Sequence, residues 1–315
     1  MYQDPLIDAM AQIEFVVDSG QFKNLLDKSN IKHIALFPRD RVGRLPTEKM
    51  KSYVVGRYTR HTFELKEQFG ERIILGSTKR FDQRDDLKIN YVDRILNAIV
   101  KRDLKFVGEL MFTHADKVDG EINPTFERYV NSAGPNVFRL LDGISKNPIP
   151  VMFHWEVYNW ERDWPNIKKM IGSYPNINFI WPHCGFANSE QVDLVFSTFD
   201  NVYATLSKRE LVRWKDLWIS HTGDELGGWN IVNPEFLEKV DGAIIDNDGI
   251  IKPQWVRLLQ KYPDRFMFAT DVHKFSRWKN YNKIVKIWRE ILGQLEKSLA
   301  DKIGSKNAER IYGIG

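Results

Sequence analysis

Short apolar runs alternate along the chain with longer intervals in which apolar residues recur every three or four positions. The runs occupy 6–9 (LIDA), 33–38 (HIALFP), 73–77 (IILGS), 105–112 (KFVGELMF), 149–155 (IPVMFHW), 177–182 (INFIWP), 201–206 (NVYATL) and 265–270 (RFMFAT). Several are nearly continuous in apolar content, as expected of parallel strands covered on both faces. The intervals carry stripes of helical spacing. Leu87, Tyr91, Ile95, Ile99 and Val100 mark one within 84–103, and Trp164, Ile167, Met170 and Ile171 mark another within 161–171, stopped by Gly172 and Pro175. Ile284, Val285, Trp288, Ile291, Leu292, Leu295 and Leu299 mark a third within 281–299. Strand and helix in regular alternation predict an α/β fold, a (β/α)8 TIM barrel, as one domain over 1–315. Its connections after the fourth and seventh strands, 110–148 and 207–264, are elaborated, with helix and loop mixed in the first. A doubly wound open sheet is the alternative, because counting strands does not establish closure.

Composition narrows the partners. The 315 residues carry 46 Lys plus Arg against 42 Asp plus Glu, a net +4 with the signs interspersed, so no nucleic-acid partner is expected. One cysteine, Cys184, excludes an internal disulfide and an all-thiolate zinc site. The opening MYQDPLIDAM has no basic and apolar leader pattern, and no stretch approaches about 18 apolar residues, so a cytoplasmic protein without a membrane partner is expected. No G-x-G-x-x-G or phosphate-loop pattern sits at a strand–helix junction, which leaves nucleotide cofactors unsupported. Apolar helical stripes leave a homodimer open.

The residues suited to chemistry fall at strand ends. Glu109 lies in the fourth run, His154 near the end of the fifth, His183 just beyond the sixth and Asp271 just beyond the eighth. A barrel of parallel strands collects these ends at one mouth, where two imidazoles and a carboxylate could hold a divalent ion and Asp271 could take a proton from water. Each has a plainer reading: His154 as a hydrogen-bonded core histidine, His183 as a local structural residue where the chain leaves its strand, Glu109 as the partner of a Lys or Arg, Asp271 as a cap. Arg39, Arg41 and Arg44 follow the second run, and Lys79 and Arg80 the third, positions that would favour an anionic substrate if they face the mouth. Trp155, Trp160 and Trp181 could wall an apolar substrate, with packing beneath the loops as the default. His114 and His273 stand near the ligand-like positions as reserve ligands or proton carriers. Cys184 beside His183 does not by itself make a dyad, and His221, in the long late connection, reads as a loop histidine.

The chain resembles the metal-dependent amidohydrolase superfamily, in particular its amidohydrolase-related branch, through 6–315. The marks are LIDAMAQIE, PVMFHWE, NINFIWPHCG, RFMFATDVH and the terminal KNAERIYG. The resemblance implies a distorted (β/α)8 barrel in which His154 and His183 ligate metal and Asp271 binds or orients the hydrolytic water. FVGELMF looks like the fourth-strand GE element of related metal-dependent deoxyribonucleases, which implies a metal-bridging role for Glu109. The family's first strand usually ends in His-x-His; here Met10 and Gln12 stand at those positions. A thioether and a neutral amide are poor substitutes for imidazole, so one metal position is expected to be lost.

The expectation is therefore a metal-dependent hydrolase of a small ester, lactone or amide. It would hold one divalent ion, zinc first with manganese and iron as alternatives, on Glu109, His154 and His183. Substrate contacts are assigned to Arg39, Arg41, Lys79, Trp155 and Trp181. A metal-free, catalytically reduced barrel that binds a ligand or a structural partner is the competing class; phosphoester hydrolysis and decarboxylation rank below both.

Overall fold

The computed structural model describes residues 1–14, 16–39, 57–79, 83–118, 120–210, 234–273 and 275–315. Each of the eight apolar runs falls on a strand: β1 (Leu6–Ile13), β2 (Ile31–Pro38), β3 (Ile73–Leu75), β4 (Val107–Val118), β6 (Val151–Trp155), β7 (Phe179–Trp181), β8 (Val202–Thr205) and β9 (Phe266–Met267). A ninth, β5 (Glu121–Tyr129), is inserted between the fourth and fifth runs. It pairs antiparallel with the end of β4, Val118 opposite Glu121 and Thr113 opposite Tyr129. The mixture of helix and loop expected for 110–148 is thus a β-hairpin followed by the helix Pro135–Ser145. EINPTFERY carries no apolar run, because its pairing partner is the polar extension of β4 and not a covered sheet interior.

Two sheets result, ordered β1-β2-β3 and β5-β4-β6-β7-β8-β9, and every pair except β4–β5 is parallel. Backbone hydrogen bonds join them on both sides. Lys105 N–H donates to Leu75 C=O (2.8 Å) and Ser77 N–H to Phe106 C=O (3.2 Å); Ala9 N–H donates to Phe268 C=O (3.0 Å) and Asp271 N–H to Met10 C=O (2.8 Å). Buried Asp8 reinforces the second junction, accepting from Thr270 N–H (2.9 Å), Thr270 Oγ1 (2.6 Å) and Tyr281 OH (3.0 Å).

Alternation of side chains along the strands divides the core in two. Ile7, Ala9, Met10, Phe37, Ile74, Phe106, Met152, Ile180 and Met267 form an inner cluster with Tyr312 of the last helix. Leu36, Val107, Val151, Phe153, Trp155, Phe179, Trp181 and Phe266 face the helices instead. The predicted helical stripes sit on Ile89–Arg102, Trp160–Gly172 and Tyr281–Leu292, the last ending at Gly293 before a separate short helix, Lys297–Asp301. Among the described residues no helix is long and apolar enough to cross a membrane.

Candidate metal centre

Glu109, His154 and His183 reach one point from two strands and the turn after a third. Glu109 follows Gly108 near the start of β4, where an added Cβ on Gly108 would stand 2.5 Å from Met152 Cβ of β6, so glycine permits the two strands to approach. His154 is penultimate in β6, and His183 opens the turn after β7. His154 Nδ1 lies 2.6 Å from Glu109 Oε1 and 3.3 Å from His183 Nε2. One ligand atom from each residue lies within 4.8 Å of the others, and all three side chains are buried.

His183 is aimed by an unusual backbone. His183, Cys184, Gly185 and Phe186 have φ of 44°, 46°, 58° and 58°, a left-handed turn that costs each non-glycine residue on the order of 1 kcal/mol. At Gly185 a Cβ would run into the Trp155 carbonyl and the Trp181 ring, so only glycine fits. Buried Arg209 offsets the strain. Its Nε donates to His183 C=O (2.8 Å), Nη1 to Ala187 C=O (2.8 Å) and to Gly242 C=O, and Nη2 to Cys184 C=O (3.2 Å). Thr205 Oγ1 accepts from His183 N–H (3.0 Å), and the Phe186 ring stacks on the imidazole at 4.1 Å and 3°.

Charges in the centre are paired. The Lys79 ammonium sits on Glu109 Oε2, and His154 Nε2 lies 3.0 Å from Glu156 Oε1. Burial opposes ionisation of Glu109, yet Lys79 and His154 hold it well below the usual carboxylate range. Burial alone would lower His154, but Glu109 and then Glu156 raise it. His183 is pushed far down by burial and by the neighbouring His154 and Lys208, and so keeps a neutral ring. Burial also lowers Lys79, against the pull of Glu109.

The His154–His183 pair passes a test of fit for a divalent ion, whereas the 2.6 Å between Glu109 and His154 is hydrogen-bond spacing that would have to lengthen on binding. Two atoms bound to one such ion at about 2.0–2.1 Å in tetrahedral geometry stand roughly 3.3 Å apart, which is the His154–His183 spacing. One carboxylate and two imidazoles, one of them held neutral, are suitable donors.

Asp271 comes to the same mouth at φ 45°, 1% exposed. Gln12 Nε2 donates to its Oδ1 at 2.5 Å and the Lys208 ammonium sits on its Oδ2. Lys208 acts electrostatically on His183, and Asp271 on Lys79, which ties the two halves of the site together. Met10 lies in the apolar inner cluster. At the two positions where the resemblance implies histidines, this chain thus has a packing residue and a hydrogen-bond donor to Asp271.

The remaining candidates are placed differently from expectation. Lys79 and Arg39 are buried, Lys79 on Glu109 and Arg39 3.6 Å from Glu14, so internal carboxylates already answer both charges and neither is a free anion receptor. Arg41, Arg44, Arg80 and His221 lie outside the described residues. Trp155 and Trp181 do not wall the site as expected: both are fully buried in the helix-facing core, stacked at 5.2 Å, with Trp160 and Trp164 packed on Trp155. Trp155 neighbours His154 in a strand, so the two must point to opposite faces. His114 Nδ1 lies 2.7 Å from Glu156 Oε1, and His273 Nδ1 3.3 Å from Asp271 C=O. Burial pushes the Cys184 thiol up to about 11, which makes it a poor nucleophile.

Sequence reading missed Glu156, Lys117, Lys208, Arg209 and Glu210. Glu156 had a signal, since a residue two beyond His154 in an extended segment shares its face. A cavity of about 420 Å³ borders Glu156 and Phe186 and is also lined by Phe236, Lys239 and Asp241.

Glu210 is fully buried, neither oxygen has a hydrogen-bond partner from another residue among the described residues, and burial lifts its pKa from 4.5 to about 7, with Arg277 opposing. Between these values the folded state keeps a proton that the unfolded state releases, so stability is full below about 4.5 and is lost as pH rises through about 7. Glu210→Gln removes that loss. Its denaturation free energy relative to wild type is expected to rise by on the order of 3 kcal/mol between pH 4.5 and pH 8. A pH-independent difference between the two proteins would refute the assignment.

The family model described as Amidohydrolase matches residues 90–314, well over half of the chain. No curated protein matches it. Solved structures share the fold. A probable 2-pyrone-4,6-dicarboxylic acid hydrolase from Acinetobacter baumannii, with citric acid bound, has a TM-score of 0.57 at 12% identity, covering 98% of this chain and 99% of its own. An uncharacterized TIM-barrel protein from Bordetella bronchiseptica has 0.53 at 11%, covering 93% and 81%. A 2,6-dihydroxybenzoate decarboxylase from Rhizobium has 0.51 at 10%, covering 99% of each chain. The described architecture is therefore an α/β fold with a mixed sheet that resembles the TIM-barrel superfamily.

Proposed function

This chain belongs to the amidohydrolase family, and on that premise we propose that it is a one-metal hydrolase of a small ester, lactone or amide. The observation that carries the reading is His154 Nδ1 lying between Glu109 Oε1 at 2.6 Å and His183 Nε2 at 3.3 Å. These three residues would hold the ion, zinc by the match of two imidazoles and a carboxylate. A divalent ion bound there supplies Lewis acidity, acidifying water and polarising the substrate carbonyl.

The chain's own groups supply the rest. Asp271, oriented by Gln12 and Lys208, takes a proton from the attacking water and returns it to the leaving group. The Lys208 ammonium, 14% exposed beside a buried Asp271, is the cation nearer to solvent and stabilises negative charge growing on the substrate oxygen. Lys79 holds Glu109 ionised and fixes its direction. The single domain over 1–315 and the barrel's closure belong to this reading too, supported by the hydrogen bonds that join the two sheets.

One observation favours a reduced, ligand-binding barrel: Glu109 and Asp271 each already carry a lysine ammonium. Metal content decides between the two. Protein purified without chelator and dialysed against zinc, manganese or iron is expected to retain close to one divalent ion per chain by elemental analysis and to turn over members of an ester, lactone and amide panel. A chain that stays empty in excess metal and hydrolyses nothing in the panel is a ligand-binding barrel.

A further inference from the structure

We propose that Glu156 is a positioning residue that sets His154 for metal: by accepting a hydrogen bond at Nε2 it leaves the Nδ1 lone pair facing Glu109 and His183. The inference rests on the metal reading above and adds a residue to it. His154 has two ring nitrogens and two carboxylates beside them, Glu109 Oε1 at 2.6 Å from Nδ1 and Glu156 Oε1 at 3.0 Å from Nε2. Only one nitrogen of a neutral imidazole carries hydrogen. Without a fixed acceptor at Nε2 the hydrogen can sit on Nδ1, bonded to Glu109, and the ring is then blocked as a ligand. A carboxylate at the second nitrogen gives the hydrogen a place away from Glu109, and once an ion takes Nδ1 that bond both orients the ring and strengthens it as a donor.

Glu156 is itself immobilised for this task. It is 2% exposed; its Oε2 holds the Lys117 ammonium and accepts from Ala115 N–H at 3.2 Å, while Oε1 also meets His114 Nδ1 at 2.7 Å. With Lys117 and Ala115 bound to one oxygen, the other stays directed at His154. The same network touches the second histidine, because the Lys117 ammonium lies 5.2 Å above the Phe186 ring and that ring stacks on His183.

Glu156→Leu alone would strand the buried Lys117 ammonium, so the variant tested is Glu156→Leu with Lys117→Met, which removes both charges and the acceptor at Nε2 together. Lys117→Met with Glu156 retained is the control. Zinc dissociation constants are measured by competition with a chromophoric chelator, alongside the denaturation midpoint of each metal-free protein and the absorption spectrum of its cobalt form. The double variant is expected to bind zinc roughly 10–100-fold more weakly than the control, at a similar midpoint and with an altered cobalt spectrum. Equal affinity and identical cobalt spectra in the two variants overturn the proposal while leaving the metal reading intact. Two ions per wild-type chain, one of them lost in His114→Ala, also overturn it, since Glu156 would then be a ligand of a second ion. A wild-type chain that binds no zinc sinks the metal reading itself.

Discussion

His183→Ala and His154→Ala are each expected to weaken divalent-metal binding by more than about 100-fold, since loss of a direct ligand exceeds the 10–100-fold typical of an outer-shell partner. The two substitutions differ in what they leave behind. His183 is neutral in the fold, so its removal strands no charge and costs mainly the contact with Phe186 and the volume of the ring. His154 lies between two carboxylates, but Glu109 keeps Lys79 and Glu156 keeps Lys117, so the fold should survive its loss as well. Equilibrium dialysis with zinc, paired with circular dichroism, separates loss of the site from loss of the fold. Full occupancy in both folded variants would exclude this site and move any ion elsewhere in the protein.

Arg209→Met is expected to cost about 3–5 kcal/mol of stability, because the carbonyls of His183, Cys184, Ala187 and Gly242 lose a buried, charged donor together. The planar fork also matters. It spans four acceptors and stacks 4.7 Å over Trp255, which a lysine point charge cannot reproduce, so Arg209→Lys should recover only part of the loss. The damage is directed at the left-handed turn that presents His183, so zinc affinity should fall with stability. Urea denaturation of the metal-free protein measures the first effect and dialysis the second. An Arg209→Met protein within about 1 kcal/mol of wild type would mean that the turn holds its shape unaided.

The two experiments address separate layers of one device. The histidine variants test the donor atoms, whereas the arginine variant tests the backbone conformation that carries one of them. Neither residue type is unusual alone. Placing an imidazole on a strained turn and then filling the carbonyl acceptors of that turn with one guanidinium is what converts a histidine after Pro182 into a directed ligand.

The sequence made the eight strands legible, since an apolar run covered on both faces is written into consecutive residues. It also made a shared mouth for His154 and His183 an expectation, because parallel strands of a barrel gather their C-terminal ends there, whereas Glu109, near the start of a strand that runs on into the hairpin, is brought to them by the register of β4 against β6. Strand alternation was equally legible and separates His154 from Trp155, which is why the two tryptophans pack against a helix and do not line the mouth. Which cation answers which carboxylate is set by the closed fold. Lys79 on Glu109, Lys117 on Glu156 and Lys208 on Asp271 join residues tens of positions apart through long side chains whose direction no local pattern encodes. The same holds for the inserted strand β5, whose partner is a neighbouring strand's polar extension, and for Arg209, buried because four carbonyls of distant turns happen to face it. Periodicity records which face of an element is buried; pair identity depends on distances set only when the chain has closed on itself.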